Sequence, residues 1–149
     1  MQISQIILIV ALSLGASAGT ISRRHEGTGS EFAKTCTKLE IPKGANNLEA
    51  ECSVAGQKKR VKTSLDLNHC LTSTGSALVP KKDGQFWGGM GCHSCEFRDK
   101  EKQKKGIMRC SCMTTQLGAF LFQEVDLNEL IANRYGFLEC YGYRGKKLN

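Results

Sequence analysis

The chain has 149 residues, 8 of them cysteine, and carries a formal net charge of +7. This length suits one domain or two small repeats that share a core. The basic residues cluster at 58–62, 100–105 and 144–147, without the interleaved aromatic side chains that stack on bases. We therefore predict solvated loops and tails and no nucleic-acid partner, with an anionic membrane or nucleic-acid surface as the alternative.

The N-terminal segment has the pattern of a secretory signal peptide. Residues 3–14 are almost entirely apolar, and Ala16-Ser17-Ala18 provides the small residues that signal peptidase requires. The run is too short to span a membrane, and a buried apolar helix is the alternative interpretation. We expect a signal peptide at 1–18 and secretion, then a flexible leader or pro-segment at 19–31 that contains the dibasic pair Arg23-Arg24.

A duplicated block organises the rest of the chain. Residues 64–71, which include the triplet Asp-Leu-Asn, recur 60 positions later as residues 124–131. The same offset relates the apolar and cysteine positions of 48–52 to those of 108–112. One offset that holds for acidic, apolar and cysteine positions indicates an internal duplication.

Both repeats are predicted to contain the same short elements. Repeat one, at 32–80, is expected to contain an extended segment from Phe32, a hairpin that turns at 42–47, a strand at 61–65, a helical turn at 66–71 and a strand at 77–79. Repeat two, at 92–140, is expected to contain a hairpin that turns at 99–106, a strand at 120–125, a helical turn at 126–131, a loop at 133–136 and a strand at 137–140. Short alternating runs without long helical periodicity predict an all-β fold.

The titratable residues of the repeats do not form a recognisable catalytic group. Asp66 and Asp126 begin equivalent turns, so we predict that they cap those turns and do not act as a catalytic pair. His69 and His93 have no nucleophile or carboxylate at a spacing typical of a triad. We predict no catalytic residue, no enzymatic activity and no cofactor.

The eight cysteines favour disulfides because the chain is predicted to be exported. Cys36 and Cys52 flank the first hairpin and form a natural pair. A zinc cluster at 92–95 and 110–112 is the competing interpretation, since its ligands resemble a zinc site in outline. We predict disulfides and no metal.

Strand register selects the pairing in the second hairpin. The sum of the two residue numbers is nearly constant for antiparallel partners, and the pairs Cys92–Cys112 and Cys95–Cys110 meet this condition to within one residue. One bulge absorbs that difference, whereas the crossed pairing requires a larger shift. Cys70 and Cys140 remain, and their pairing would require the two repeats to exchange elements.

Four motifs together resemble the cyanovirin-N family. They are F-x-x-x-C at Phe32 to Cys36, L-x-A-x-C at Leu48 to Cys52, S-L-D-L-N at Ser64 to Asn68, and D-L-N-x-x-I-A-N-x-x-G-x-L at Asp126 to Leu138. The resemblance covers 32–141 and leaves a basic tail at 142–149, and the additional cysteines are similar to those of the filamentous-fungal branch. It implies a pseudo-twofold all-β fold in which tandem repeats exchange strands, each half holding a three-stranded sheet and a hairpin.

The resemblance also implies a function and two binding sites. Family members are lectins that bind mannose-rich oligosaccharides in two shallow pockets. Because exchange of repeats permits domain swapping, we expect a monomer or a domain-swapped dimer. The first site carried over by position consists of Lys34, Thr35, Ser53, Asn133, Arg134 and Tyr135. The second consists of Thr72, Ser73, Thr114 and Thr115.

The chain departs from the family pattern at both sites. Ser53 stands where the resemblance implies an acidic residue, and Met90, Gly91 and Met113 replace polar or charged residues of the second site. We therefore expect the second site not to bind sugar in the family manner. The alternatives to a lectin are a secreted basic effector and an interaction protein that kept the fold but lost the sugar pockets.

Overall fold

The computed structural model describes residues 31–115 and 118–149. The predicted signal peptide, nearly all of the leader and the dibasic pair lie outside the described residues. Among the described residues, no helix has both the length and the apolar character needed to cross a membrane.

Twelve short strands and two short helices form the described part of the chain. The strands are β1 (Cys36–Glu40), β2 (Asn47–Ser53), β3 (Arg60–Asp66), β4 (Leu71–Ser73), β5 (Leu78–Pro80), β6 (Cys92–Glu96), β7 (Ile107–Met113), β8 (Phe120–Asp126), β9 (Ala132–Arg134), β10 (Phe137–Cys140), β11 (Tyr143–Arg144) and β12 (Lys146–Lys147). The helices are α1 (Phe32–Thr35) and α2 (Lys100–Lys104), and 3₁₀ turns occupy Leu67–His69 and Leu127–Glu129. The predicted all-β class is confirmed.

The duplicated plan is visible in the sheets. Repeat one forms an antiparallel sheet in the order β1-β2-β3-β12, and repeat two forms one in the order β6-β7-β8. The central strands β2 and β7 have identical alternation, in which every second residue is buried. Two smaller sheets, β4-β5 and β11-β10-β9, complete the fold. The predicted three-stranded sheet is present in repeat two, whereas the tail strand β12 adds a fourth strand to the sheet of repeat one. The pairs β4-β5 and β9-β10 are the predicted hairpins.

The repeats exchange their last strands. β10 comes from repeat two but packs on β3 of repeat one, and β5 of repeat one packs on β8 of repeat two. The disulfide Cys70–Cys140 joins the 3₁₀ turn of repeat one to β10. The exchange that the two remaining cysteines required is present.

The other three disulfides follow the predicted register. Cys36–Cys52, Cys92–Cys112 and Cys95–Cys110 are bonded, and no free cysteine occurs in the described residues. The β6–β7 register shifts between His93 and Glu96, which is the bulge that the second hairpin needed. Because these sulfurs are bonded to each other, the zinc alternative at 92–95 and 110–112 is wrong.

One core unites the two halves. Its largest fully buried side chains include Phe32, Phe86, Leu67, Leu127 and Leu138, which come from both repeats and from the link between them. Each buried side chain of this size contributes about 1.5–3 kcal/mol by leaving water. The two 3₁₀ turns therefore anchor equivalent leucines in a shared core.

The predicted caps are confirmed in both repeats. Asp66 accepts a hydrogen bond from the backbone N–H of Asn68, and Asp126 accepts one from the N–H of Asn128, both at 2.9 Å. The two carboxylates therefore perform the same local function at equivalent positions, as the spacing predicted.

Two segments predicted as extended or turn are helical. The segment from Phe32 is α1, in which Thr35 Oγ1 donates to the Phe32 carbonyl and the N–H of Ala33 donates to Asn128. The turn at 99–106 contains α2, capped by Asp99, which accepts from the N–H of Lys102. Both helices are too short for periodicity to reveal them.

Candidate functional site

Three distant segments meet at the predicted first site. Thr35 ends α1, Ser53 ends β2, and Asn133 is the central residue of β9. The Asn133 side-chain amide donates to Thr35 Oγ1 at 3.1 Å and to the Ser53 carbonyl at 2.9 Å. The exchange of strands brings β9 to repeat one, so the residues of one site come from both repeats.

Both polar atoms of the Asn133 side-chain amide form hydrogen bonds within the protein. Its two amide hydrogens go to Thr35 and Ser53, and its carbonyl accepts from the Gly136 N–H at 2.8 Å. A side-chain amide has two donors and one acceptor oxygen, so little capacity remains for a ligand. Asn133 is therefore a positioning residue that fixes the site.

The groups that remain available lie around this network. Tyr135 is 73% exposed at the tip of the β9–β10 hairpin, where its φ is +54° and the next residue is a glycine with φ +88°. Thr35 Oγ1 donates to the Phe32 carbonyl and keeps a second acceptor lone pair. Both Tyr135 and Thr35 are therefore open to a ligand.

The first site is rich in hydrogen-bond donors. Lys34 forms an exposed ion pair with Glu31 at 2.6 Å, and Arg134 Nε lies 3.9 Å from Glu139. Exposed pairs of this kind are weak and exchange readily with other partners. Both cations are consequently available to oxygen atoms of a ligand.

The second site contains a cavity open to solvent. It has a volume of about 360 Å³ and is lined by Gly75, Ser76, Thr114, Thr115, Leu121, Phe122 and Gln123. Thr114 Oγ1 and Gln123 Oε1 are buried without a hydrogen-bond partner among the described residues. An unpaired buried polar group costs about 1–3 kcal/mol, which a bound water or ligand hydroxyl would relieve.

Only part of the predicted second site lines this cavity. Thr114 and Thr115 do, whereas Thr72 faces Gly84, where an added Cβ would lie 2.8 Å from the Thr72 Cβ. Ser73 does not line the cavity, but its Oγ accepts a hydrogen bond at 3.2 Å from the N–H of Gly75, which does. Leu121 and Phe122, which sequence reasoning did not assign to the site, make its wall partly apolar.

The structure contains a third cluster of polar side chains, which the sequence analysis did not predict. His69 Nδ1 lies 2.8 Å from Asp83 Oδ1, and the His69 ring stacks on Tyr143 with ring centroids 3.8 Å apart. Hydrogen bonds from His69 and then Tyr143 lower the pKa of Asp83 below its usual value, and the bond to Asp83 raises the pKa of Tyr143. The cluster therefore joins three segments that are far apart in the sequence. His69 comes from the 3₁₀ turn of repeat one, Asp83 from the link between the repeats (residues 81–91), and Tyr143 from the tail.

The described residues offer no metal site. No group of three or more His, Cys, Asp or Glu side chains is arranged to hold an ion in the described part of the chain. The polar, aromatic and charged side chains at the two sites can form hydrogen bonds, ring stacking and ion pairs.

The combination of exchanged hairpins, duplicated caps and register-determined disulfides can be compared with known proteins. The family model for the CVNH domain matches residues 32–139, well over half of the chain. The chain belongs to the CVNH family. The resemblance of the four motifs to the cyanovirin-N family is therefore confirmed.

Solved CVNH structures share this fold. A designed cyanovirin-N homolog lectin is 24% identical, with a TM-score of 0.61 over 74% of this chain and 98% of its own. The CVNH protein of Gibberella zeae is 20% identical, with a TM-score of 0.60 over 74% and 97%. A CVNH variant solved in complex with (N-GlcNAc)4 is 13% identical, with a TM-score of 0.59 over 76% and 98%. No curated protein matches the chain.

Proposed function

We propose that this CVNH protein is a secreted, non-enzymatic lectin that binds mannose-rich oligosaccharides at the first site. The Asn133 network is the observation that carries the proposal. It holds Thr35, at the end of α1, and Ser53, at the end of β2, in one fixed arrangement. A lectin needs such a rigid array because a sugar presents adjacent hydroxyls that must be matched together.

Each remaining group has a chemical part in this proposal. The exposed ring of Tyr135 offers a face for the apolar C–H side of a sugar and a hydroxyl for its polar edge. Thr35 Oγ1 accepts from a sugar hydroxyl, while Lys34 and Arg134 donate to sugar oxygens. Ser53 replaces a carboxylate acceptor, so the site relies on donors more than the family pattern does.

The basic loops support an alternative function. Lys58 and Lys59 are exposed at the β2–β3 turn, and the Lys59 carbonyl accepts from the N–H of Val54, one residue after Ser53. A basic effector or interaction protein would use such a surface for an anionic partner. Its binding would fall steeply with salt, whereas binding to neutral sugar would not.

Titration calorimetry on matched variants tests the proposal. A mannose-rich oligosaccharide and tetra-N-acetylglucosamine serve as ligands, because a CVNH relative was solved with the latter. Tyr135→Ala and Thr35→Ala should each weaken mannose-oligosaccharide binding at least about tenfold. Thr115→Ala, in the second cavity, is the control and should leave the affinity unchanged. Unchanged binding in both first-site variants would refute this site.

A further inference from the structure

The outer edges of the two equivalent third strands differ. In repeat one, β12 pairs with β3, placing Lys146 opposite Ser64, and the N–H of Leu148 donates to the Lys62 carbonyl at 2.9 Å. In repeat two, β8 is the last strand of its sheet within the described residues. An edge strand presents unpaired N–H and C=O groups, which are a template for another strand.

The chain path explains why the tail covers β3 and why the segment between the repeats does not cover β8. The segment after β10 is the tail, which is free to turn back over β3. The segment after β5 is the link to repeat two, and it runs beside the 3₁₀ turn: Lys81, Asp83 and Gln85 donate their N–H groups to the carbonyls of Cys70, His69 and Asn68. It then enters β6, so it cannot lie along β8.

The residues on the open edge differ in chemistry from their counterparts. At the 60-residue offset, Phe120 and Phe122 replace Arg60 and Lys62. Phe120, Leu121 and Phe122 are 42%, 53% and 65% exposed, whereas the counterpart of Leu121 in repeat one, Val61, is 7% exposed. Edge strands usually carry lysine or other charge, which opposes pairing. Repeat two has lost that protection where its edge is open.

The charges beside this edge are already paired. Arg109 forms an ion pair with Glu96 and lies over the Phe122 ring, 4.2 Å from its centroid. Lys102 pairs with Glu124 at 3.0 Å. The chain as a whole is strongly basic, but these four groups balance locally, so a second copy can approach without like-charge repulsion at the strand itself.

We propose that β8 pairs antiparallel with β8 of a second copy, about a twofold axis at Leu121. The Lys62 carbonyl points away from β2, so by the shared register the backbone groups of Phe122 point to the open edge. Because the backbone groups of successive strand residues point to alternate edges, those of Phe120 point to the same edge as those of Phe122. These two residues can therefore exchange backbone hydrogen bonds between copies.

The register centred on Leu121 is self-complementary. It sets Phe120 of one copy opposite Phe122 of the other on the outer face, and Leu121 opposite Leu121 on the face that carries the buried Gln123 and Val125. Aromatic cross-strand pairs stabilise antiparallel sheets. A shift of the axis by one residue towards Phe122 would set Phe120 against Glu124, and a shift towards Phe120 would set Phe122 against Gly118. The apolar match therefore selects the register centred on Leu121.

The dimer would contain two copies of the first site, one in each chain. The first site contains no residue of β7 or β8, so the pairing does not use its residues. If the proposed lectin function holds, a dimer would bind multivalent glycans more tightly than its single sites. The pairing itself does not depend on that function.

Sedimentation equilibrium of the oxidised protein tests the pairing. We expect a reversible dimer, and the double variant Phe120→Arg/Phe122→Lys, which restores the repeat-one residues, should raise the dimer Kd at least about tenfold. Met90→Lys changes an exposed hydrophobic residue outside β8 and should leave the Kd unchanged. Circular dichroism and the mass of the oxidised chain verify that each variant folds.

Three results would overturn the proposal. A dimer that persists in the double variant would point to exchange of repeats between copies. A monomer whose Phe120 and Phe122 amides are protected from hydrogen exchange would place another segment of the same chain on the edge. A monomer in which these amides exchange freely would leave the edge without a strand partner.

A cysteine at the proposed axis gives an independent readout. Leu121 pairs with itself in a non-hydrogen-bonded position, where Cα atoms lie about 4.5 Å apart, close enough for a disulfide. Leu121→Cys should form a covalent dimer on oxidation, and Met90→Cys under the same conditions should not. Equal cross-linking of the two variants, or none in either, would contradict the register.

Discussion

The strands β3 and β8 have the same length and pair with β2 and β7 in the same register, yet their surroundings differ. β3 is covered on its outer edge by the tail, and β8 ends its sheet with three exposed apolar residues. The caps and the core leucines are the same in both repeats. Duplication therefore preserved what each repeat needs to fold, while the edges and ends diverged.

The two candidate sites differ in the same way. The first is a polar network formed by Thr35, Ser53 and Asn133, and the exposed Tyr135 lies next to it in sequence. The second is a partly apolar cavity in which Thr114 and Gln123 have unpartnered oxygen atoms. Both sites combine residues of the two repeats, but in the first site hydrogen bonds join those residues into one network.

The largest expected effect concerns the disulfide that joins the repeats. Cys70–Cys140 closes a separation of 70 residues, so replacing both cysteines by alanine should lower the free energy of unfolding by about 4 kcal/mol. The same change at Cys95–Cys110, which closes 15 residues within repeat two, should lower it by about 3 kcal/mol. Urea unfolding measures both, and a larger loss for the shorter loop would contradict this ranking.

Asn133→Ala should reduce both stability and binding. The substitution removes three hydrogen bonds that join α1, β2 and the β9–β10 turn, so we expect a loss of about 1–3 kcal/mol in the free energy of unfolding. Tyr135→Ala should reduce sugar binding without changing stability, because its ring is exposed. Thermal unfolding and calorimetry separate the two residues, and equal stability of both variants would refute the positioning role of Asn133.

The duplicated caps provide a symmetrical test. Asp66→Ala and Asp126→Ala should each lower the free energy of unfolding by about 1 kcal/mol, the usual value for an N-cap. Asp66 also accepts from Asn46 at 2.6 Å, so its loss should be slightly the larger. A negligible effect at either position in denaturant unfolding would show that the repeats do not use their caps alike.

The smallest effect is a pH-dependent one at Asp83. Because its pKa is lowered in the folded protein, chiefly by the hydrogen bond with His69, its charged form contributes stability above its unfolded pKa. That contribution is lost as the pH falls through the folded pKa. Asp83→Asn should therefore lower Tm by about 2 °C or less at neutral pH and have no effect once the pH lies below the folded pKa. A difference that grew towards acid pH would contradict this account.

Local patterns and spacing predicted much of this fold. The repeats and the caps followed from the Asp-Leu-Asn offset. Three disulfides followed from the two hairpins, and Cys70–Cys140 followed because those two cysteines remained. These features depend on residues close in sequence or on the arithmetic of antiparallel pairs. The helices α1 and α2 were missed because four or five residues show no helical period.

The remaining features depend on contacts between distant segments. The tail was expected to be only a basic extension, but β12 covers β3, and nothing in residues 60–66 alone indicates that cover. The exposure of Phe120 and Phe122 depends on the path of the link, and the role of Asn133 depends on partners 98 and 80 positions away. Such arrangements are determined by the whole fold and not by a local motif.

A glycan-array comparison of the oxidised wild-type protein and Tyr135→Ala, at low and at high salt, tests the proposed lectin function most directly. We predict that the wild-type protein binds mannose-rich glycans equally at both salt concentrations and that Tyr135→Ala loses this signal. Signal confined to anionic glycans and lost at high salt, or no signal at either concentration, would contradict it. The first of those results would assign binding to the basic loops, and the second would leave a CVNH fold without sugar binding.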